Sequence, residues 1–249
     1  MKRLIAALLC LTLAAPATAS RIEDQTRDFV AANLIAIFYH ELGHALIDIM
    51  KLPIYGQEED AADVLSAVMI HRSFEEEAAA RVAFATAFGF LGDVKYREED
   101  GGEVAYWDVH GPDLQRYYTF VCLFYGGNPA ARQAMADQLE LPPARQDTCV
   151  EEFRQASNSW GPVMDELEAA GAGNSIRFLA DHRVGVFGLL SADVLQGAVA
   201  AMNDELSLPK RLLVRVEPCN TVNAFYDPKT REIIMCTEFA EYLAEIEVN

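Results

Sequence analysis

Basic side chains are scarce in this 249-residue chain: 20 Lys and Arg stand against 38 Asp and Glu, for a formal net charge of −18. Phosphate backbones are held by basic surfaces, so nucleic acid is excluded as a partner. The same field repels anionic lipid head groups. Beyond the N-terminal leader, no apolar run reads as long enough to span a membrane. The sequence also lacks internal repeats, low-complexity tracts and any Pro/Gly/Ser-rich linker, which points to one domain over residues 20–249. What remains is 51% hydrophobic and 23% charged, ordinary globular usage, so a disordered chain is excluded too.

Cysteine is sparse, and its placement is informative. Met1-Lys2-Arg3 is a short basic start, followed by an apolar run and then Ala17-Thr18-Ala19, a small-x-small cleavage pattern. Residues 1–19 therefore read as a secretory signal peptide, and the chain as exported, either periplasmic or secreted. Cys10 lies inside that leader. The other four, Cys122, Cys149, Cys219 and Cys236, are an even set in an oxidising compartment, where disulfides form. Proximity favours Cys122 with Cys149 and Cys219 with Cys236. The rival use, a structural zinc site, lacks Cys-x-x-Cys spacing.

Apolar periodicity predicts helices near residues 26–50, 58–71, 74–89, 112–125, 129–139, 148–157 and 192–206. Residues 177–186 are ambiguous, with an extended segment as one reading. Residues 211–216 and 231–236 are β-rich runs flanking Asp227-Pro228-Lys229-Thr230, a good turn, which predicts a C-terminal hairpin between them. The fold class is α+β: mostly helical, with a small sheet.

The chemistry is concentrated in His40-Glu41-Leu42-Gly43-His44, a His-Glu-x-x-His motif inside a strongly apolar helix. Residues four apart share a helix face, so both imidazoles can reach one metal ion. Neutral imidazole suits Zn2+, and a catalytic site adds a third protein ligand. Glu41 is rotated by about 100° from His40, beside the metal, where it can act as general base on a zinc-bound water. Fifteen residues past His44, after a break at Pro53 and Gly56, comes Glu58-Glu59-Asp60-Ala61-Ala62-Asp63. Glu59 is the expected third metal ligand. Asp63, four residues on, is the expected acceptor that orients a ligand histidine. Glu58 competes for the ligand role but has no acidic residue four positions later. Acidic residues at a helix start also complement its dipole.

His40-Glu41-x-x-His44 followed by Glu59-x-x-x-Asp63 resembles the gluzincin peptidases, the thermolysin-like clan, and Asp48 echoes the thermolysin-like sequence His-Glu-x-x-His-Ala-x-x-Asp. Three stretches resemble a bacterial metallopeptidase family known as domain of unknown function 4344: residues 40–48, residues 56–63, and Asn223-Ala224-Phe225-Tyr226. The resemblance implies a zincin-like fold and a zinc-dependent hydrolase, and it names no substrate. In thermolysin-like enzymes the cleft-edge strand precedes the metal helix. Here the hairpin comes last, which implies a circularly permuted arrangement with the substrate strand pairing on a C-terminal edge.

A peptide oxyanion needs a donor beside the metal. His110, in Trp107-Asp108-Val109-His110, is the leading candidate, with Arg116, Tyr117 and Tyr226 behind it. His71 and His182 read as structural. The function read from these residues is zinc-dependent cleavage of a peptide or protein substrate. Its alternatives are an exported metal- or peptide-binding module without catalysis, and a zinc hydrolase acting on another bond.

Overall fold

The computed structural model describes residues 22–181 and 184–248, so the leader, Cys10 and His182 lie outside the described residues. Helix α1 (Asp24–Met50) is apolar on most of its circumference, and Val30, Leu34, Phe38, Leu42, Ala45 and Leu46 are fully buried. It stops at Lys51, whose left-handed backbone (φ 57°) turns its N–H back to the Ile47 carbonyl. Pro53 follows, where a helix cannot continue. Helix α2 (Glu58–Ser73) then runs back along α1. Gly43 sets their spacing, because a Cβ there would lie 2.9 Å from Ala62 Cα. Ser66 Oγ donates to the Ala36 carbonyl at 2.8 Å and keeps the two helices in register.

Helix α3 (Glu76–Glu99) continues ten residues beyond the expected end at Gly89. That glycine marks a close crossing of α1, since a Cβ would strike Asn33 Oδ1 at 2.2 Å. Helices α4 (Asp113–Gly127) and α5 (Pro129–Gln138) match their expected spans closely. Helix α6 (Pro143–Ala169) is much longer than expected and passes through Pro162. Buried Trp160, Met164 and Leu167 carry its apolar stripe past the proline, so packing outweighs the lost backbone bond.

Strand β1 (Ile176–Ala180), helix α7 (Val186–Glu205), strands β2 (Leu212–Glu217), β3 (Ala224–Asp227) and β4 (Glu232–Cys236), and helix α8 (Thr237–Val248) complete the chain. The four-stranded sheet has the order β1-β2-β4-β3. The expected hairpin between residues 211–216 and 231–236 is corrected here: β2 and β4 pair parallel, and β4 turns a hairpin with β3 instead. Residues Ala224–Asp227, between the two β-rich runs, form the strand that takes the antiparallel place. Asp227 closes its turn, accepting from Lys229 N through its side chain and from Arg231 N through its carbonyl, both at 2.8 Å. Leu212, Val214 and Val216 alternate inward on β2 and, with Ile233 and Met235, face the helical core. Helix α8 was not anticipated because it leaves β4 with no intervening loop.

Disulfides join Cys122 of α4 to Cys149 of α6, and Cys219, just after β2, to Cys236 at the end of β4. They suit an oxidising environment outside the cytosol. The reading that no stretch after the leader reaches spanning length also needs correction: α1 and α7 pass by length and composition, though 78% of the α1 window is buried in the core.

Candidate metal centre and cleft

One helical turn of α1 presents His40 and His44 to the first turns of α2. His40 Nε2, His44 Nε2 and Glu59 Oε2 form a triangle with every side 3.2 Å. Tetrahedral ligands with bonds of about 2.0–2.1 Å stand about 3.3–3.4 Å apart, so this donor set fits a metal ion with nitrogen and oxygen ligands. The other ring nitrogens are engaged as a metal site requires. His40 Nδ1 lies 2.7 Å from Asp63 Oδ1, and His44 Nδ1 lies 2.8 Å from Glu58 Oε1. A carboxylate on each Nδ1 leaves each Nε2 free to be a ligand. Asp63 is itself fixed by Arg116, whose Nε and Nη2 donate to its two oxygens at 2.7 and 2.9 Å. Sequence reasoning placed Asp63 and Glu59 but treated Glu58 only as a rival ligand. Its role as the His44 partner emerges only when α2 docks on α1.

Glu41 is 4% exposed, and burial holds its carboxyl above the ordinary range against the pull of His40 and His44. The Tyr226 backbone N–H from edge strand β3 bonds to it. Burial also opposes charge on His40, yet the bonds to Asp63 and Glu59 prevail and push its pKa up to about 9. Glu59 is likewise desolvated, but hydrogen bonds from His110, His40 and His44 hold it far below the usual carboxylate range.

His110 arrives on the segment between α3 and α4. Its Nε2 is 3.0 Å from Glu59 Oε2, and Asp108 orients it, with Oδ1 3.1 Å from the His110 Nδ1. His40, Glu59 and His110 offer ligand atoms that all lie within 4.8 Å of one another. Tyr226 closes the opposite wall, its hydroxyl donating to Asp48 Oδ2 at 2.8 Å. Tyr117, grouped with these donors in the sequence, is elsewhere: it is buried in a second core and donates to the Leu139 carbonyl. His71 is also remote, against Arg132 and the Phe153 ring.

Two cavities meet at this centre and share His40, Glu41, His110, Asn223 and Ala224. The larger, of 670 Å3, extends along β3 past Tyr226 to Pro228. The smaller, of 410 Å3, extends toward α3 and α8. Strand β3 forms the sheet edge along both.

The model of a family described as "Putative metallopeptidase", domain of unknown function 4344, matches residues 11–164 and 180–248. The chain belongs to that family. No curated protein and no solved structure matches it. Membership in a metallopeptidase family implies a metal. Within the stretches matched to it lie both helices of the donor triangle, the segment carrying His110, and the edge strand.

Proposed function

We propose that this chain is an exported zinc peptidase, comprising a leader at residues 1–19 and one catalytic domain at 20–249, that hydrolyses a peptide or protein substrate. The observation that carries the reading is the 3.2 Å triangle of His40, His44 and Glu59, with a carboxylate behind each imidazole. Those three residues would hold zinc. When bound, the metal supplies a water of lowered pKa and a Lewis acid for the carbonyl.

Glu41 is the general base. Its carboxylate takes a proton from the attacking water as the oxygen bonds to the peptide carbon, then passes it to the amine as the C–N bond breaks. Burial lifts its pKa toward the working range, which suits a group that must both accept and release a proton. His110, turned inward by Asp108, donates a hydrogen bond to the developing oxyanion. The outer edge of β3 offers backbone groups to an extended substrate, and the cavities on either side of the centre give it room to run past the cut bond.

The first test is elemental analysis of the processed protein beside Glu59→Ala, followed by a peptide-library digest. About one zinc per chain, weakened in the variant, with cleavage abolished in Glu41→Gln, supports the reading. A folded protein that takes up no zinc, or a Glu41→Gln variant that still cuts, refutes it. Zinc binding with no cleavage of any peptide would favour the non-catalytic module instead.

A further inference from the structure

The smaller cavity beside the metal centre has a wall of unusual chemistry. Ile37, Val222 and Phe239 line it with apolar surface, and Asp93 of α3 sets a carboxylate among them. Among the described residues, the side chain bonded to Asp93 is Tyr242 of α8, whose hydroxyl donates at 2.6 Å. Arg97 and Arg116 act on Asp93 through their fields, Arg116 also lining the cavity, and each has a carboxylate of its own. Arg116 is bonded through two nitrogens to Asp63, and Arg97 is paired with Asp113. Burial raises the Asp93 carboxyl above its ordinary range, against the Tyr242 hydroxyl and the two arginine fields, so a cation brought to it would favour its charged form.

We propose that this cavity is the specificity subsite for a basic substrate side chain, lysine or arginine, with Asp93 receiving its charge. The inference rests on the peptidase reading for its place in the reaction. A basic side chain matches the cavity in both halves, since its methylene stem lies along apolar walls while its cation finds the carboxylate. Tyr242 holds Asp93 in place at the cavity wall without supplying a formal charge, which leaves the carboxylate open to a cation from the ligand. The net charge of −18 acts in the same direction, drawing basic peptides to the cleft.

The strand geometry assigns the position. The chain enters β3 past Val222, which lines the smaller cavity, and runs along the strand toward Tyr226 and Pro228, which line the larger. A substrate strand added antiparallel to it runs the other way. The side chain entering the Asp93 cavity then belongs to the residue directly after the cut bond.

The experiment compares processed wild-type protein with Asp93→Asn, which keeps an acceptor for Tyr242, and uses circular dichroism and thermal unfolding to verify the fold. Binding of n-butylammonium and of 1-butanol is followed by saturation-transfer NMR, and a peptide pair differing only in lysine or norleucine after the cut bond is assayed for kcat/KM. The ammonium should bind wild type in preference to the alcohol. The lysine peptide should be favoured by on the order of tenfold or more, and both preferences should collapse in Asp93→Asn. Should that variant not fold, Val222→Lys at the exposed rim supplies a competing ammonium and should abolish the same preferences. Equal binding of the two probes to wild type, no binding of the ammonium, or a preference that survives either folded variant overturns the assignment. A probe preference lost in Asp93→Asn while no peptide is cut leaves the subsite standing and counts against the peptidase reading alone.

Discussion

Tyr226 donates its hydroxyl to Asp48 Oδ2 at 2.8 Å, across 178 residues of sequence. Asp48 lies one helical turn beyond His44, so this bond ties the edge strand directly to the helix that carries the two histidines. The Tyr226 backbone N–H reaches Glu41 at the same time. One residue of the C-terminal strand therefore positions the cleft wall and contacts the proposed base. Tyr226→Phe should keep zinc and cost about 1 kcal/mol of stability, while kcat/KM for peptides falls by more than that stability loss explains. Thermal unfolding and steady-state kinetics on the same preparation check it. An unchanged kcat/KM would show that the strand needs no tether.

Glu41→Gln preserves the shape of the side chain and removes its basicity. The zinc content should stay near that of wild type, and kcat should fall by about 10²–10⁴. Single-turnover assays with a cleavable peptide give the answer.

Gly43 is the contact point of α1 and α2, with room for no side chain opposite Ala62. Gly43→Val should force the helices apart and destabilise the fold by about 1–3 kcal/mol. Its sharper consequence is for the metal, because Glu58, Glu59 and Asp63 all ride on α2. Zinc affinity, measured by chelator competition in the folded variant, should drop as well. Retained affinity would mean that the donor triangle does not depend on this crossing.

The carboxylates behind the histidines should differ in weight. Asp63 has a side chain only 15% exposed and is locked to Arg116, whereas the Glu58 side chain is 49% exposed. Asp63→Asn and Glu58→Gln should both weaken zinc binding, within about 10–100-fold, and Asp63→Asn should weaken it more. The reverse order in a chelator titration would contradict the orienting role given to Asp63.

The metal-free protein should lose stability as pH rises. His40 has an ordinary pKa of 6.5, and its partners raise it to about 9 in the folded chain. Its bonds to Asp63 and Glu59 therefore stabilise the fold fully below pH 6.5, and that contribution disappears as pH climbs through about 9. With zinc bound the ring must be neutral, so the same loss should be missing. Melting temperatures of the metal-free and zinc-loaded protein across this window test the sign directly. Zinc uptake near neutral pH should also release protons, measurable in buffers of different ionisation enthalpy.

The helical parts of the fold were legible because apolar periodicity is a local property. Helices α1, α2, α4 and α5 lie close to where their stripes place them. The misreadings share one physical cause, which is that long-range packing overrode local punctuation. The helices expected to end at Gly89 and Ser157 run on, because Gly89 admits Asn33 and the stretch through Pro162 carries a buried stripe. The sheet was misjudged for a related reason. β richness marks strands but carries no pairing partner, so the parallel match of β2 with β4 could not be read from composition.

For the site, the four-residue spacing of His40 and His44 and that of Glu59 and Asp63 were each set by the sequence, since helix geometry alone puts such pairs on one face. Tertiary structure decided how the faces meet. The antiparallel docking of α2 on α1 gave Glu58 to His44, and the return of the chain after β2 brought Tyr226 to Asp48. It also enclosed Asp93 beside Tyr242 from a helix that the sequence had not revealed. Those contacts join residues distant along the chain, and only the burial of a shared core brings such residues within bonding distance.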